Sequence, residues 1–246
     1  MSENNREPHI PACEPNVPSA AQAGAKPHGD VRTLTALAML AAISYVVMLL
    51  SKMLPQVYGF LQFDLKDTVI CIGGFLFGPL SAAILSIVVP LLEMFFASDT
   101  GPIGFVMNVL ATASFCCTAS FVYKRFHTKK GAVLGLGSGV VVLTAVMLLW
   151  NYLITPIYQG VPRDVVAGML PTVFLPFNLV KGGMNMGVIL LLYKPVVTAL
   201  RRAHLVPESS SASGKNGGTR SAGFLLFSLA VLGTFVTLAL VLMGII

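Results

Sequence analysis

The sequence predicts an all-α, polytopic membrane helical bundle, a six-helix core plus an additional C-terminal transmembrane helix. Three observations carry this expectation. Of 246 residues, 55 % are apolar and only 11 % charged, where a soluble domain carries about 25 % charged residues. The apolar residues fall into blocks about 17–25 residues long, the length a helix needs to cross about 30 Å of hydrocarbon at 1.5 Å per residue. The basic residues, 16 against 10 acidic, gather in short polar segments between those blocks. That distribution suits topology determinants and argues against the continuous basic stripe of a nucleic-acid-binding protein.

Residues 1–30 are rich in Pro, Ala, Asn and charge and bury too little apolar surface to offset their ordering, so they are predicted to be a disordered tail. They do not read as a cleavable signal, because the first apolar run begins only near Thr33. Span one covers 33–54 and stops at Pro55; a wetter stretch, 56–66, contains Tyr58, Gly59, Gln62 and Asp64 and is expected to reach back over a site. Span two, 67–77, is a short helix broken by Gly78-Pro79, and span three resumes at once and runs to about Phe96. Spans four, five and six cover 103–123, 131–154 and 171–200, with 155–170 expected as a loop. The domain division is thus 1–30 tail, 31–202 six-helix membrane domain, 203–221 Ser/Gly-rich linker and 222–246 additional helix. The seventh span is uncharged, so it is expected to anchor or to pack, not to bind.

Lys26 and Arg32 precede span one, Lys124, Arg125, Lys129 and Lys130 separate spans four and five, and Arg201 and Arg202 follow span six. Alternating helices put all three groups on one side, which the positive-inside rule makes cytoplasmic. The amino terminus is then inside, with 55–66, 97–102 and 155–170 outside; Lys66 and Arg163 run weakly against the trend.

An ionisable group at membrane depth costs about 2.5–3.5 kcal/mol on insertion scales and so tends to mark function. Lys181 is the clearest case. Asn178, Lys181 and Asn185 recur at i, i+3 and i+7 and occupy one helix face. The alternative is a snorkelling lysine with asparagines that merely bond neighbouring helices. Asn151, beside Trp150 and near the outer end of span five, could hold a flat polar ring, although a tryptophan there also serves as an interface anchor. Asn108 in span four is a further candidate. Asp67 reads as a structural acid at a helix amino end, capping amides and matching the dipole. Glu93, about one turn from its loop, is expected to reach water, and Asp99 lies just beyond it.

Gly73-Gly74 and Gly78-Pro79 are followed by no Lys-Ser or Lys-Thr, so they are expected to allow close helix contact and a sharp turn, not to cradle phosphate. Ala38 and Ala42, with Ala41 beside them, form a smooth strip for another helix, in this chain or in a partner. The four cysteines show no metal or disulfide spacing. No Walker motif, HExxH or nucleophile elbow occurs, so no catalytic residue, metal or cofactor is assigned, and active uptake would draw energy from another chain.

Phe63-Asp64-Leu65-Lys66-Asp67 leading into Gly73-Gly74-Phe75-Leu76-Phe77-Gly78-Pro79, then Gly101-Pro102-Ile103-Gly104 with Met107-Asn108, and Pro176-Phe177-Asn178-Leu179-Val180-Lys181, resemble the substrate-binding S components of energy-coupling factor (ECF) vitamin transporters. The likeness spans about 33–202 and is strongest to the riboflavin-specific members. The resemblance implies a six-helix protein that captures riboflavin on the outer side. It also implies association with a transmembrane coupling subunit and two cytoplasmic ATPases, and inward release by toppling within the membrane. It further assigns Ala38 and Ala42 to contact with the coupling subunit, and Asn151, Asn178 and Lys181 to hydrogen bonds with the flavin ring or ribityl chain. The seventh span and the polar tail depart from the six-helix pattern.

Other readings stay open on the residues alone. They are the same architecture with another vitamin, an ion-coupled carrier working alone with Glu93 or Lys181 titrating, and an intramembrane enzyme acting on lipid.

Overall fold

The computed structural model describes residues 31–57, 61–97, 101–126, 128–202 and 218–245. The expected tail, the body of the Ser/Gly linker, and Tyr58, Gly59 and Asp99 lie outside them. The elements in order are α1 (Val31–Ser51), α2 (Lys66–Phe77), α3 (Pro79–Phe96), α4 (Gly101–Phe126), α5 (Lys129–Gln159), α6 (Arg163–Met169), a π turn (Leu170–Phe174), α7 (Leu175–Arg202) and α8 (Gly218–Leu242). Extended structure among the described residues is limited to an isolated bridge between Val57 and Leu61.

Among the described residues, six segments are long and apolar enough to cross a membrane: α1, α3, α4, α5, α6 running through to α7, and α8. The 12-residue α2 is about 18 Å long at 1.5 Å per residue, so the expected second span does not cross by itself. It is a half-length helix sunk into the bundle, joined to α3 by the turn at Gly78, whose φ of +97° suits glycine. Ser120 Oγ and Ala82 Cβ crowd Gly74, at 2.1 and 2.8 Å from where a Cβ would stand. The glycines therefore serve packing and turning, as the sequence suggests.

The expected outer loop at 155–170 is a correction. α5 continues through Pro156 to Gln159, ends at Gly160 in the left-handed region, and α6 begins at Arg163. Pro171 and Pro176 each remove a backbone donor, and the chain widens into the π turn instead of breaking. Proline thus does not stop the helix where packed neighbours hold it.

Two apolar clusters fill the bundle. One joins α1 to α5 and α7 around Leu40, Ile70, Leu85, Phe115, Leu136 and Ile189. The other gathers around Phe63, Val166, Phe174, Phe177 and Val180, and includes Ala239 of α8.

Candidate functional site

A cavity of about 380 Å3 occupies one end of the bundle, within the range of about 300–1,000 Å3 for small-molecule sites. The carboxyl ends of α1, α3 and α5 and the amino ends of α4 and α7 surround it, with Gln56, Leu61, Gln62, Phe63 and Asp64 from the α1–α2 connection. The exposed basic residues Arg32, Lys124, Arg125 and Lys130 sit at the other ends of α1, α4 and α5.

Helix geometry explains the polar lining. At about 100° per residue, Asn178 and Lys181 share one face of α7, and both line the cavity while remaining buried. Asn178 Nδ2 donates to Phe174 O at 2.8 Å, one turn back across the π turn. Asn151 Nδ2 donates to Met147 O at 2.7 Å, and its carbonyl accepts from Thr155 Oγ1 at 3.0 Å. Each amide is thereby fixed in orientation and keeps hydrogen-bonding capacity toward the cavity. Lys181 is 8 % exposed and, among the described residues, makes no ion pair within 4 Å.

Asn185 completes the same stripe but does not line the cavity. It lies one turn deeper, where it accepts from Thr68 Oγ1 at 2.8 Å and donates to Asp64 O at 2.9 Å and Lys181 O at 3.1 Å. The stripe therefore divides into two lining residues and one that ties α7 to α2. Asn108 does line the cavity, with Nδ2 3.2 Å from Glu93 Oε2. Trp150, Phe63, Phe177, Met48, Met107 and Met147 supply apolar wall, with the Phe63 and Phe177 rings 5.0 Å apart.

An ion cluster beside the cavity is the main feature missed in the sequence. Lys66, 1 % exposed, pairs with Asp64 and places Nζ 2.7 Å from Glu93 Oε2. Glu93 is buried in this network, not turned to water as expected, because Lys66 and Asn108 both donate to it. Lys52 lies 3.7 Å from Glu93 Oε1 and also donates to Ala97 O. Lys66 is thus no free topology charge. Asp64, not Asp67, supplies the capping contact at α2, accepting from Lys66 N at 2.8 Å. Asp67 accepts instead from Thr112 Oγ1 at 2.7 Å and so links α2 to α4. Burial by itself would raise the Asp64 carboxyl, but the ammonium groups of Lys66 and Lys181 outweigh it and hold it below the usual carboxylate range. The only available sequence signal was four charges within 52–67 lying beside an apolar helix that carries one acid.

Among the described residues, the charges around the cavity balance. Lys52 and Lys181 face Asp64 and Glu93 on the lining; behind them Lys66 pairs with Asp64 and Glu93, and Asp67 accepts from Thr112. Ala38 and Ala42 do not line the cavity and are exposed on α1, whereas Ala41 is buried.

Residues 32–197 match the family described as the substrate-specific component of ECF transporters. The chain belongs to that family. The S component is 30 % identical over 177 residues to "Riboflavin transporter RibU" of Staphylococcus aureus (strain TCH60), which covers 70 % of this chain and 93 % of the relative. It is 29 % identical over 192 residues to "Riboflavin transporter FmnP" of Bacillus subtilis (strain 168), with 71 % and 98 % covered. It is also similar to the chain solved under the heading "Structure and mechanism of the S component of a bacterial ECF transporter". That match has a TM-score of 0.60 and 31 % identity, over 70 % of this chain and 99 % of that one. Family membership makes the S component a membrane-embedded transport subunit and not an enzyme. The expectation of a membrane helical bundle of the S-component type accords with that fold.

Proposed function

We propose that this S component captures riboflavin at the outer face of a bacterial cell membrane for ATP-driven uptake. A transmembrane coupling subunit and two cytoplasmic ATPase subunits would complete the transporter. The carrying observation is the charge-balanced cavity, in which oriented amides and one unpaired ammonium stand beside an aromatic wall. Riboflavin matches that chemistry: it is neutral, has a flat ring with an imide edge, and carries a polyhydroxyl chain. The names of the curated relatives favour the same ligand. Flavin mononucleotide, with its phosphate charge, is the weaker ligand on this reading, since the lining offers no net positive charge.

Asn151, Asn178 and Lys181 bond the ring edge or the ribityl hydroxyls, and Asn108 contributes beside Glu93. Trp150 and Phe177 flank the ring. Asn185 acts from beneath, holding Lys181's helix against Asp64 and Thr68. The amino terminus is cytoplasmic, since Arg32, Lys124, Arg125 and Lys130 cluster at the end opposite the cavity. Ala38 and Ala42, four residues apart and exposed on α1, form the contact for the coupling subunit.

Purification followed by an absorption spectrum tests the ligand. A flavin spectrum, carried from the cell or gained on mixing with riboflavin, is the expected result. A colourless protein that takes up no flavin would defeat the proposal and leave another vitamin as the cargo.

A further inference from the structure

α8 follows the six-helix pattern, and 11 % of its span is buried against 44 % of the span that includes α7. It meets the bundle along one stripe. Phe224, Ser228, Leu232, Phe235, Ala239 and Met243 recur every three or four residues and face inward, while Leu226, Leu229 and Leu238 point outward and are exposed.

The receiving groove is on α7. A Cβ at Gly183 would fall 2.3 Å from the Phe235 ring, and one at Gly187 would fall 2.9 Å from Leu232 Cα. No residue larger than glycine permits that approach, so the two small residues one turn apart form a seat that α8 fills. The pairing order, Gly183 with Phe235 and Gly187 with Leu232, makes the helices antiparallel. Gly183 stands two positions after Lys181, about 200° around the helix. One face of α7 therefore meets the cavity and the opposite face meets α8.

The carboxyl end of α8 then reaches the cavity wall. Ala239, Leu242 and Met243 belong to the apolar cluster that contains Val57, Leu61, Phe63 and Phe177, and the last three of those line the cavity. Val57 and Leu61 bond each other through both amides, at 2.7 and 3.0 Å.

We propose that α8 is an in-chain brace that sets how long the ligand stays bound. With Phe235 and Leu232 seated on α7, and its carboxyl end packed into the cluster of Leu61, Phe63 and Phe177, it holds the back of the binding helix and the cavity wall in one register. The dissociation rate is the quantity it controls.

The test uses the full chain carrying Phe235→Ala, Leu232→Ala or both, with Leu229→Ala on the outward face as control. Riboflavin release is followed by its fluorescence. Release is expected to quicken about tenfold in the double variant, well within the cost of emptying packed Leu and Phe sites, and to stay unchanged in the control. Unchanged release in both single variants and the double variant would overturn the brace and leave α8 as an anchor. The readout rests on the riboflavin reading, so hydrogen exchange at the Val57 and Leu61 amides is measured without ligand as well. If the wild-type chain fails to bind riboflavin, that reading falls alone and exchange decides: faster exchange in the variants supports the brace, and equal exchange overturns it.

Discussion

Lys66, the first residue of α2, places its ammonium 2.7 Å from the carboxylate of Glu93, one turn from the end of α3. The pair is buried beside the cavity, and Asp64, Asn108 and Lys52 surround it. Desolvating two charges costs several kcal/mol per ion, so such a pair persists only when other groups satisfy it. Here the network joins Lys52, just past α1, to α2, α3 and α4 at the cavity end of the bundle, which makes it the scaffold of the candidate site.

Removing one partner should therefore be costly. Lys66→Met strands Asp64 and Glu93 and is expected to destabilise the protein by about 3–5 kcal/mol, seen as a lower unfolding temperature in detergent. Lys66→Met with Glu93→Gln should recover part of that loss, since the stranded charge is then removed. Equal unfolding temperatures for wild type and Lys66→Met would show that the cluster does not support the fold.

The α7 stripe should separate by function. Lys181→Ala and Asn178→Ala are expected to weaken riboflavin binding by about 1–3 kcal/mol each, the cost of leaving a buried partner unpaired. Asn185→Ala removes the ties to Thr68 and Asp64, so its main effect should be a lower unfolding temperature. Calorimetric titration beside thermal unfolding distinguishes these. Full affinity in both lining variants would move the ligand elsewhere.

Acid should act through Asp64. Its carboxyl is held below the ordinary value of 3.8 in the folded protein, so its contribution is complete above that value and is lost as pH falls through the lower, folded one. Unfolding temperature is expected to respond to this group only below about pH 4. Asp64→Asn should flatten that acid limb. An acid limb identical in the variant would assign it to other groups.

The α1 strip should matter to assembly and not to capture. Ala42→Leu places a bulky side chain on an exposed small-residue face. It is expected to leave riboflavin affinity unchanged while uptake by the assembled transporter falls about tenfold or more, as close helix contact is lost. Normal uptake in cells that carry Ala42→Leu and Ala38→Leu together would exclude this face as the coupling contact.

Hydropathy and length made the long helices legible, because each is a property of a continuous stretch. The stripe of Asn178, Lys181 and Asn185 was equally legible, since helix periodicity alone aligns it. The junction of spans five and six misled: a loop is expected at 155–170, yet α5 runs on through Pro156 to Gln159, a helix resumes at Arg163, and a π turn absorbs Pro171. The cavity's electrostatics were the least visible. Glu93 lies 27 residues from Lys66 and 15 from Asn108, so neither spacing nor composition relates them.

What the sequence determined by itself was a chain too apolar for water, cut into membrane-length helices, with a cation and amides on one of them. Those follow from local chemistry, since the burial cost of a backbone or an ammonium is set residue by residue. Tertiary structure alone decided which helix ends meet. It thereby sank Asn185 beneath the cavity, turned Glu93 inward to Lys66, and seated α8 on Gly183 and Gly187. Such contacts join residues from separate helices, and only their packing brings the partners within bonding distance.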